Sequence, residues 1–494
     1  MTTDAPPRPP GPARAQASSA GPGTGRRARR RSRRWLAVGL AVVLYLATAA
    51  WSVYLKATES TTEFIDLYLD GVHLQADGTV ADVPARQPVE YLPGSRVLAA
   101  DGDDPAAVAR AEEQRDWLAA GTVPGAGGPY EDLVTGALLD IRTLTGATFD
   151  DGGTAQRAAP GAVVAGWTDR WRYVWPRDAS FVAAALARTG HAADAVDVLA
   201  FVGRAQSEAG GFQARYLPDA SGVPDGRGVQ LDGTGWVLWS AGTVLAEVPA
   251  DQRPAVLAEL RPLVDRATDQ VLALTADAPH LPPPSADYWE VREDELTLGT
   301  VAPMLAGLEH AARIYDDAGL PDRARDAAAR AEQVRAAVVE TFGADGYTRY
   351  AGDGGPMTAL LGADGRDAAT AMLLPPFTDG LPGAEEAWLA SAAEMARPAG
   401  GLAPGAGWKR DGVSWTPETT LYALTAASTG HHDQARAWLD WVAAHRTASG
   451  AIPEKVLAGG APAAVAPLTW SSANVVLAVA ALEDAGAPGN AGGR

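Results

Sequence analysis

The chain contains no cysteine. Disulfide frameworks, thiolate metal sites and thiol catalysis are therefore excluded. Its seven histidines, at 73, 191, 280, 310, 431, 432 and 445, show no metal-ligand spacing, so a zinc or iron centre is not expected. Lysine is nearly absent, limited to Lys56, Lys409 and Lys455, and arginine carries the remaining positive charge. Residues 1–55 hold nine arginines and one aspartate, a net of +8; taking this from the formal −19 of the whole chain leaves −27 on the rest. So acidic a surface repels phosphate backbones, which excludes nucleic acid as a partner. The length, 494 residues, suits one large domain or two ordinary ones.

Residues 1–34 are rich in Pro, Ala, Gly and Ser and end in an arginine cluster from Arg26 to Arg34. Such a segment cannot bury a core and is expected to be a disordered, basic cytoplasmic tail. Trp35–Leu55 follows, 21 residues without a charge. At about 1.5 Å per residue it is long enough to cross a hydrocarbon core of roughly 30 Å as a helix. The arginines before it place the amino terminus in the cytoplasm and the bulk of the chain outside the cell membrane. A cleaved signal is the competing reading. Ser32-Arg33-Arg34 loosely resembles a twin-arginine signal, and Ala47-Thr48-Ala49 has the small-x-small form of a cleavage site, which would give a secreted protein. The apolar run continues past that site, which favours the uncleaved anchor.

Residues 56–104 alternate in polarity. Asp70-Gly71 between Phe64–Leu69 and Val72–Leu74 predicts a hairpin turn in a membrane-proximal stalk or small β element. From 105 to 486 the period becomes helical. Candidate helices cover 105–119, 129–145, 177–189, 191–206, 233–247, 253–275, 296–317, 321–342, 366–373, 384–397, 415–429, 432–446 and 469–485. Several end in Gly steps such as Thr189-Gly190 and Thr429-Gly430. Residues 487–494 read as a disordered tail. Paired helices with no strand pattern between them argue for an all-α domain. An open solenoid would show a constant repeat period, and none is present. A closed (α/α)6 barrel is therefore expected, with its long loops gathered at one end.

Those loops concentrate aromatic and charged residues. Trp167–Asp178, Gly211–Gly233, Ser285–Arg292, Gly407–Asp411, Trp415–Glu418, Gly450–Lys455 and Pro467–Ser471 nearly all stand just before an inner-type helix. Trp and Tyr faces stack on the CH faces of a sugar ring, and Asp and Arg grip adjacent hydroxyls. Each Trp taken singly reads equally well as core packing, and Arg177-Asp178 as a helix-start ion pair. Packing alone does not explain so many such loops together.

The ordered set Trp175-Pro176-Arg177-Asp178, Gln230-Leu231-Asp232-Gly233, Tyr288-Trp289-Glu290-Val291-Arg292, Ile452-Pro453-Glu454 and Pro467-Leu468-Thr469-Trp470-Ser471 resembles glycoside hydrolase family 15. That family holds the glucoamylases, glucodextranases and bacterial trehalases, and the resemblance covers roughly 125 to 485. It implies an (α/α)6 barrel that inverts the anomeric centre, needing no cofactor or metal. It implies Glu290 as general acid and Glu454 as general base. Arg177 and Asp178 match the pair gripping the terminal sugar. Gln230, Asp232, Trp289 and Arg292 match other substrate-lining positions, and Trp175, Trp408 and Trp470 are aromatic candidates for the same pocket.

The residues themselves agree. An inverting glycosidase needs two carboxyls roughly 6.5–9.5 Å apart. Tyr288 and Trp289 beside Glu290 would strip water from its carboxyl and raise its pKa. Lys455 would keep Glu454 charged if it points the same way. Asp287, Glu293, Glu295 and Glu418 are rival carboxylates. Glu418 is the most serious, although capping of its helix accounts for it. The expected substrate is a soluble oligosaccharide cut from its non-reducing end. A non-catalytic sugar-binding or envelope scaffold on the same barrel, or a glucan transglycosylase, are the alternatives.

Overall fold

The computed structural model describes residues 64–151, 154–168, 170–351 and 365–486, together with positions 40, 42, 44, 45, 47 and 48. The expected tails at 1–34 and 487–494 lie outside the described residues, and so does most of the expected span 35–55. Its six described positions are helical. Among the described residues no helix is long and apolar enough to cross a membrane. The chain divides into a unit from Met1 to Thr58 and a compact unit from Glu59 to Arg494.

Among the described residues of the second unit, Pro105–Ala120 (α1) and Glu131–Leu144 (α2) lead into ten further α-helices. These are Pro176–Arg188 (α3), Ala192–Ala205 (α4), Asp232–Glu247 (α5), Arg253–Leu274 (α6), Leu298–Asp317 (α7) and Pro321–Phe342 (α8). Ala384–Met395 (α9), Thr416–Ser428 (α10), His432–Ala444 (α11) and Thr469–Gly486 (α12) complete the set. The 3-10 helix Ala368–Leu373 stands between α8 and α9.

Packing closes these into a ring. Helix α3 packs on α5, α5 on α7 and α7 on the 3-10 helix; the last meets α10, α10 packs on α12, and α12 returns to α3. Outside each inner element lies its partner: α4, α6, α8, α9 and α11 follow theirs in sequence, whereas α2 precedes the ring and covers α12. This is the expected (α/α)6 barrel. The inner helices are buried on all sides for most of their length, as Ala179–Ala187 and Leu298–Leu308 show. Outer helices such as α4 bury one stripe that includes Val196, Leu199 and Val202. Small residues let the inner ring close tightly. A Cβ on Gly235 of α5 would sit 2.1 Å from the Pro303 carbonyl oxygen of α7. The predicted helix at 366–373 is a single short 3-10 element because Asp367 caps it and Pro375-Pro376 follows.

All six inner elements begin at the same end, since each returns through an outer helix. Backbone bridges link the loops around that rim: Val174 to Tyr216, Gln230 to Ala286, Thr297 to Tyr350, Asp367 to Gly405 and Leu402 to Trp415. Trp415 then pairs with Lys455, and Thr469 N–H donates to the Ala165 carbonyl. Strands occur here although the sequence showed none. Ser414–Trp415, Lys455–Val456 and Pro462–Ala463 form one small sheet, and Thr148–Asp151 with Thr154–Arg157 a hairpin.

The amino-terminal β element exists, but its turn is elsewhere than expected. Leu69–Leu74 (β1) runs through Asp70-Gly71 with an irregular register and pairs with Val80–Pro84 (β2). The turn is at Asp77-Gly78, where Thr79 N–H donates to the Asp77 carboxylate. Asp70 is instead buried, accepting from Ala448 N–H at 3.1 Å and from Thr447 Oγ1 through its carbonyl. The segment is thus fastened to the barrel rather than standing free as a stalk.

Candidate active site

The rim brings the sequence motifs together. Trp175 stands immediately before α3, whose first turn holds Arg177 and Asp178. Both are buried and paired at 3.1 Å. The Arg177 guanidinium lies 4.5 Å from the Trp470 ring centroid, a cation–π contact. Its Nη2 donates to Glu290 Oε1 at 3.4 Å. Glu290 therefore reaches α3 from a turn 113 residues further on.

That turn is built by Asp287. Its carboxylate accepts from Trp289 N–H at 2.9 Å and from Thr297 Oγ1 at 2.7 Å, and its carbonyl accepts from Glu290 N–H at 2.8 Å. Glu290 has a φ of +56°. A non-glycine residue held there costs on the order of 1–3 kcal/mol, a conformation that clusters at functional sites. The two aromatic residues before Glu290 have partners of their own. Tyr288 donates its hydroxyl to the Pro404 carbonyl at 3.0 Å, and Trp289 lies under Arg349 and edge-on to Trp408. The carboxylate instead meets Arg177 and, on its other oxygen, Arg227.

Glu454 belongs to the same rim, next to Lys455, which pairs with Trp415. It is buried, and its backbone joins the loop strands through Val465 and Thr416. Trp171 Nε1 donates to its Oε1 at 3.1 Å, and Lys455 Nζ stands 3.3 Å from Oε2 while lying over the Trp415 ring. Lys455 does point the same way as Glu454. One loop, Trp171 to Arg177, thus hydrogen-bonds both carboxylates.

Burial sets the charge state of the acids around them. Desolvation pushes Asp178 up to about 6 and Asp232 up to about 7, with Arg177 opposing each. Glu418 is pushed up to about 8, again by desolvation, with Arg177 opposing and Glu454 adding to the rise. Glu418 is thus more than a helix cap: it lies within electrostatic reach of Arg177, Glu454 and Lys455. Buried polar atoms without a partner in the protein also collect here. They include Arg177 Nη1, Glu418 Oε2 and the indole N–H groups of Trp175, Trp289, Trp408, Trp415 and Trp470. Such atoms are costly unless a ligand or water satisfies them.

Gln230 is buried at the bridge before α5, beside Asp232. Arg292 is different. Its side chain is 92% exposed and its described ion pair is with Asp294, so it stays apart from the cluster. Sequence reasoning missed Trp171, Arg227 and Arg349 as members of this region. Trp171 and Arg227 stand in motif-rich loops, but no spacing connects them to carboxylates 283 and 63 residues away. Among the described residues no group of three His, Asp or Glu is arranged to hold a metal ion.

A family model described as glycosyl hydrolases family 15 matches residues 148–394. The match includes Arg177, Asp178, Asp232 and Glu290 and stops before Glu454. Solved structures share the fold. A wild-type glycosidase superposes with a TM-score of 0.57 at 22% identity, covering 71% of this chain and 96% of that one. A bacterial glucoamylase complexed with acarbose gives 0.58 at 16% identity, covering 76% and 58%. A glucoamylase from Saccharomycopsis fibuligera gives 0.55 at 12% identity, covering 72% and 95%. No curated protein matches the sequence.

Proposed function

The chain belongs to glycoside hydrolase family 15, and from that premise we propose that it is an exo-acting, inverting α-glucosidase of the glucoamylase type. The reading rests on one observation: the Trp171–Arg177 loop hydrogen-bonds both Glu454 and Glu290. In this mechanism Glu454 takes a proton from water as the water oxygen attacks the anomeric carbon. Glu290, in its protonated form, gives that proton to the departing glycosidic oxygen, and the configuration inverts; the ion pairs with Arg177 and Arg227 are those of its ionised form, which solvent reprotonates before the next turnover. Trp171 Nε1 and Lys455 Nζ hold the Glu454 carboxylate in place for that step, at 3.1 Å from Oε1 and 3.3 Å from Oε2. Arg177 and Asp178 hold the hydroxyls of the terminal glucose, with Asp232 beside them. Sugar hydroxyls would supply partners for the unpaired indole N–H groups and for Arg177 Nη1. The acarbose bound by the bacterial glucoamylase is a ligand of this chemical class.

The test is substitution. Glu290→Gln and Glu454→Gln should each abolish hydrolysis of maltooligosaccharides, isomaltooligosaccharides and trehalose while leaving the circular dichroism spectrum unchanged. Full activity in either variant would remove that residue from the mechanism. Wild-type protein that binds these sugars without cleaving them would point to the scaffold reading.

We place the domain outside the cell membrane, held by Trp35–Leu55. The support is the charge-free run of 21 residues behind the arginine cluster. Release into the medium of a chain that begins after Ala49 would overturn this in favour of a cleaved signal.

A further inference from the structure

Arg349 occupies a site that the motifs do not mark. It lies between α8 and the 3-10 helix and is 1% exposed. Its guanidinium serves three carboxylates at once. Nη1 is 2.9 Å from Asp287 Oδ2 and donates to Asp367 Oδ2 at 2.7 Å. Nη2 donates to Asp287 Oδ1 at 3.0 Å and to Glu293 Oε1 at 2.6 Å. Its Cζ lies 3.8 Å from the Trp289 ring centroid. Both ends of the 287–293 turn are therefore tied to one rigid group, with Trp289 pressed against it. Asp367, the third partner, caps the 3-10 helix by accepting from Ala369 N–H at 3.0 Å. The turn is thereby fixed to the inner ring.

Between those two ties stands Glu290 in its left-handed conformation. Nothing in the sequence of the turn demands a positive φ there, since neither glycine nor asparagine occupies the position. The conformation persists only while its surroundings over-determine it. We propose that Arg349 is a positioning residue that clamps the 287–293 turn and so aims the Glu290 carboxylate at Arg177 and the scissile bond. It touches no substrate and acts through Asp287, Glu293 and Trp289. The inference rests on the reading of Glu290 as the proton donor.

A two-handed clamp differs from simple charge compensation. Lysine at this position retains the cation but offers one point of contact, where arginine bridges with a planar fork. Arg349→Lys leaves hydrogen-bond positions on Asp287, Asp367 and Glu293 unfilled, so it should lower the melting temperature, while the folded protein keeps a near-normal KM. Its kcat should fall about 100-fold, as expected when a reacting group is displaced by roughly 1 Å. Glu293→Ala frees one end of the turn while Asp287 and Asp367 still hold the arginine. It should fold normally and lose roughly tenfold in kcat, since a partial displacement of the group forfeits part of the same factor. Wild-type kcat in Glu293→Ala, or in a folded Arg349→Lys, would overturn the proposal.

A crystal structure of Glu293→Ala separates failure of the clamp from failure of the function. The expected result is a turn that no longer holds Glu290 at positive φ beside Arg177. An unmoved Glu290 would overturn the clamp whatever the enzyme hydrolyses. Absence of turnover in the wild type would instead overturn the functional reading.

Discussion

Replacing Glu418 by glutamine should change how stability depends on pH. Glu418 is 2% exposed at the start of α10, and desolvation, with Glu454 adding, raises its pKa from 4.5 to about 8. The folded state therefore holds this proton more tightly than the unfolded state. Between those two pKa values the native chain binds more protons, so stability is fully present below pH 4.5 and falls as pH rises towards 8. The slope for one such group is about 1.4 kcal/mol per pH unit, so from pH 5 to pH 8 the loss is on the order of 4 kcal/mol. Glutamine is close in shape and does not titrate. Urea unfolding of wild type and Glu418→Gln at pH 5, 6, 7 and 8 measures the difference directly. The variant should gain on the wild type progressively with pH, reaching the order of 4 kcal/mol across the range. Asp178 and Asp232 give slopes of the same sign in both proteins, so they do not mask the difference. A stability difference constant with pH would refute the account of a protonated, buried acid beside Glu454.

Gly405→Ala should damage the acid turn from outside it. The added Cβ would lie 2.5 Å from Trp289 Cζ2 and 2.8 Å from Asp367 Cβ. A cost of about 1–3 kcal/mol in stability is expected from such overpacking, with a larger relative loss in kcat; an active, unchanged enzyme would contradict the packing. Arg292→Ala should leave kcat/KM within about twofold, because exposed ion pairs contribute little, and a strong loss would return Arg292 to the substrate site. Arg227→Gln removes a half-exposed partner of Glu290, so its effect on unfolding free energy should stay within about 1 kcal/mol.

The helical plan was legible because Gly steps and Pro-rich loops punctuate it, and most helix bounds fall within two residues of their predicted places. The rim was legible because motif residues precede inner helices, which a closed ring must bring to one end. Three features depended on partners far away in sequence. Asp70-Gly71 has the form of a turn, yet Asp70 is held in β1 by Thr447 and Ala448. Tyr288 and Trp289 adjoin Glu290 in the chain, but their side chains are engaged by Pro404, Arg349 and Trp408. Its carboxylate is surrounded by Arg177 and Arg227 from other loops. Glu418 has the position of a cap, and only the closed barrel shows how deeply it is buried. Local sequence reports backbone preference, whereas the setting of a carboxylate depends on which loops the ring brings against it.

The central claim is that Glu290 and Glu454 act on opposite faces of one glycosidic bond. Proton NMR of the first sugar released from maltotetraose tests it most directly, provided spectra are taken before the anomers equilibrate. The account predicts β-glucose appearing first, with its signal preceding that of the α anomer. Initial release of α-glucose, or of maltose in place of glucose, would contradict it.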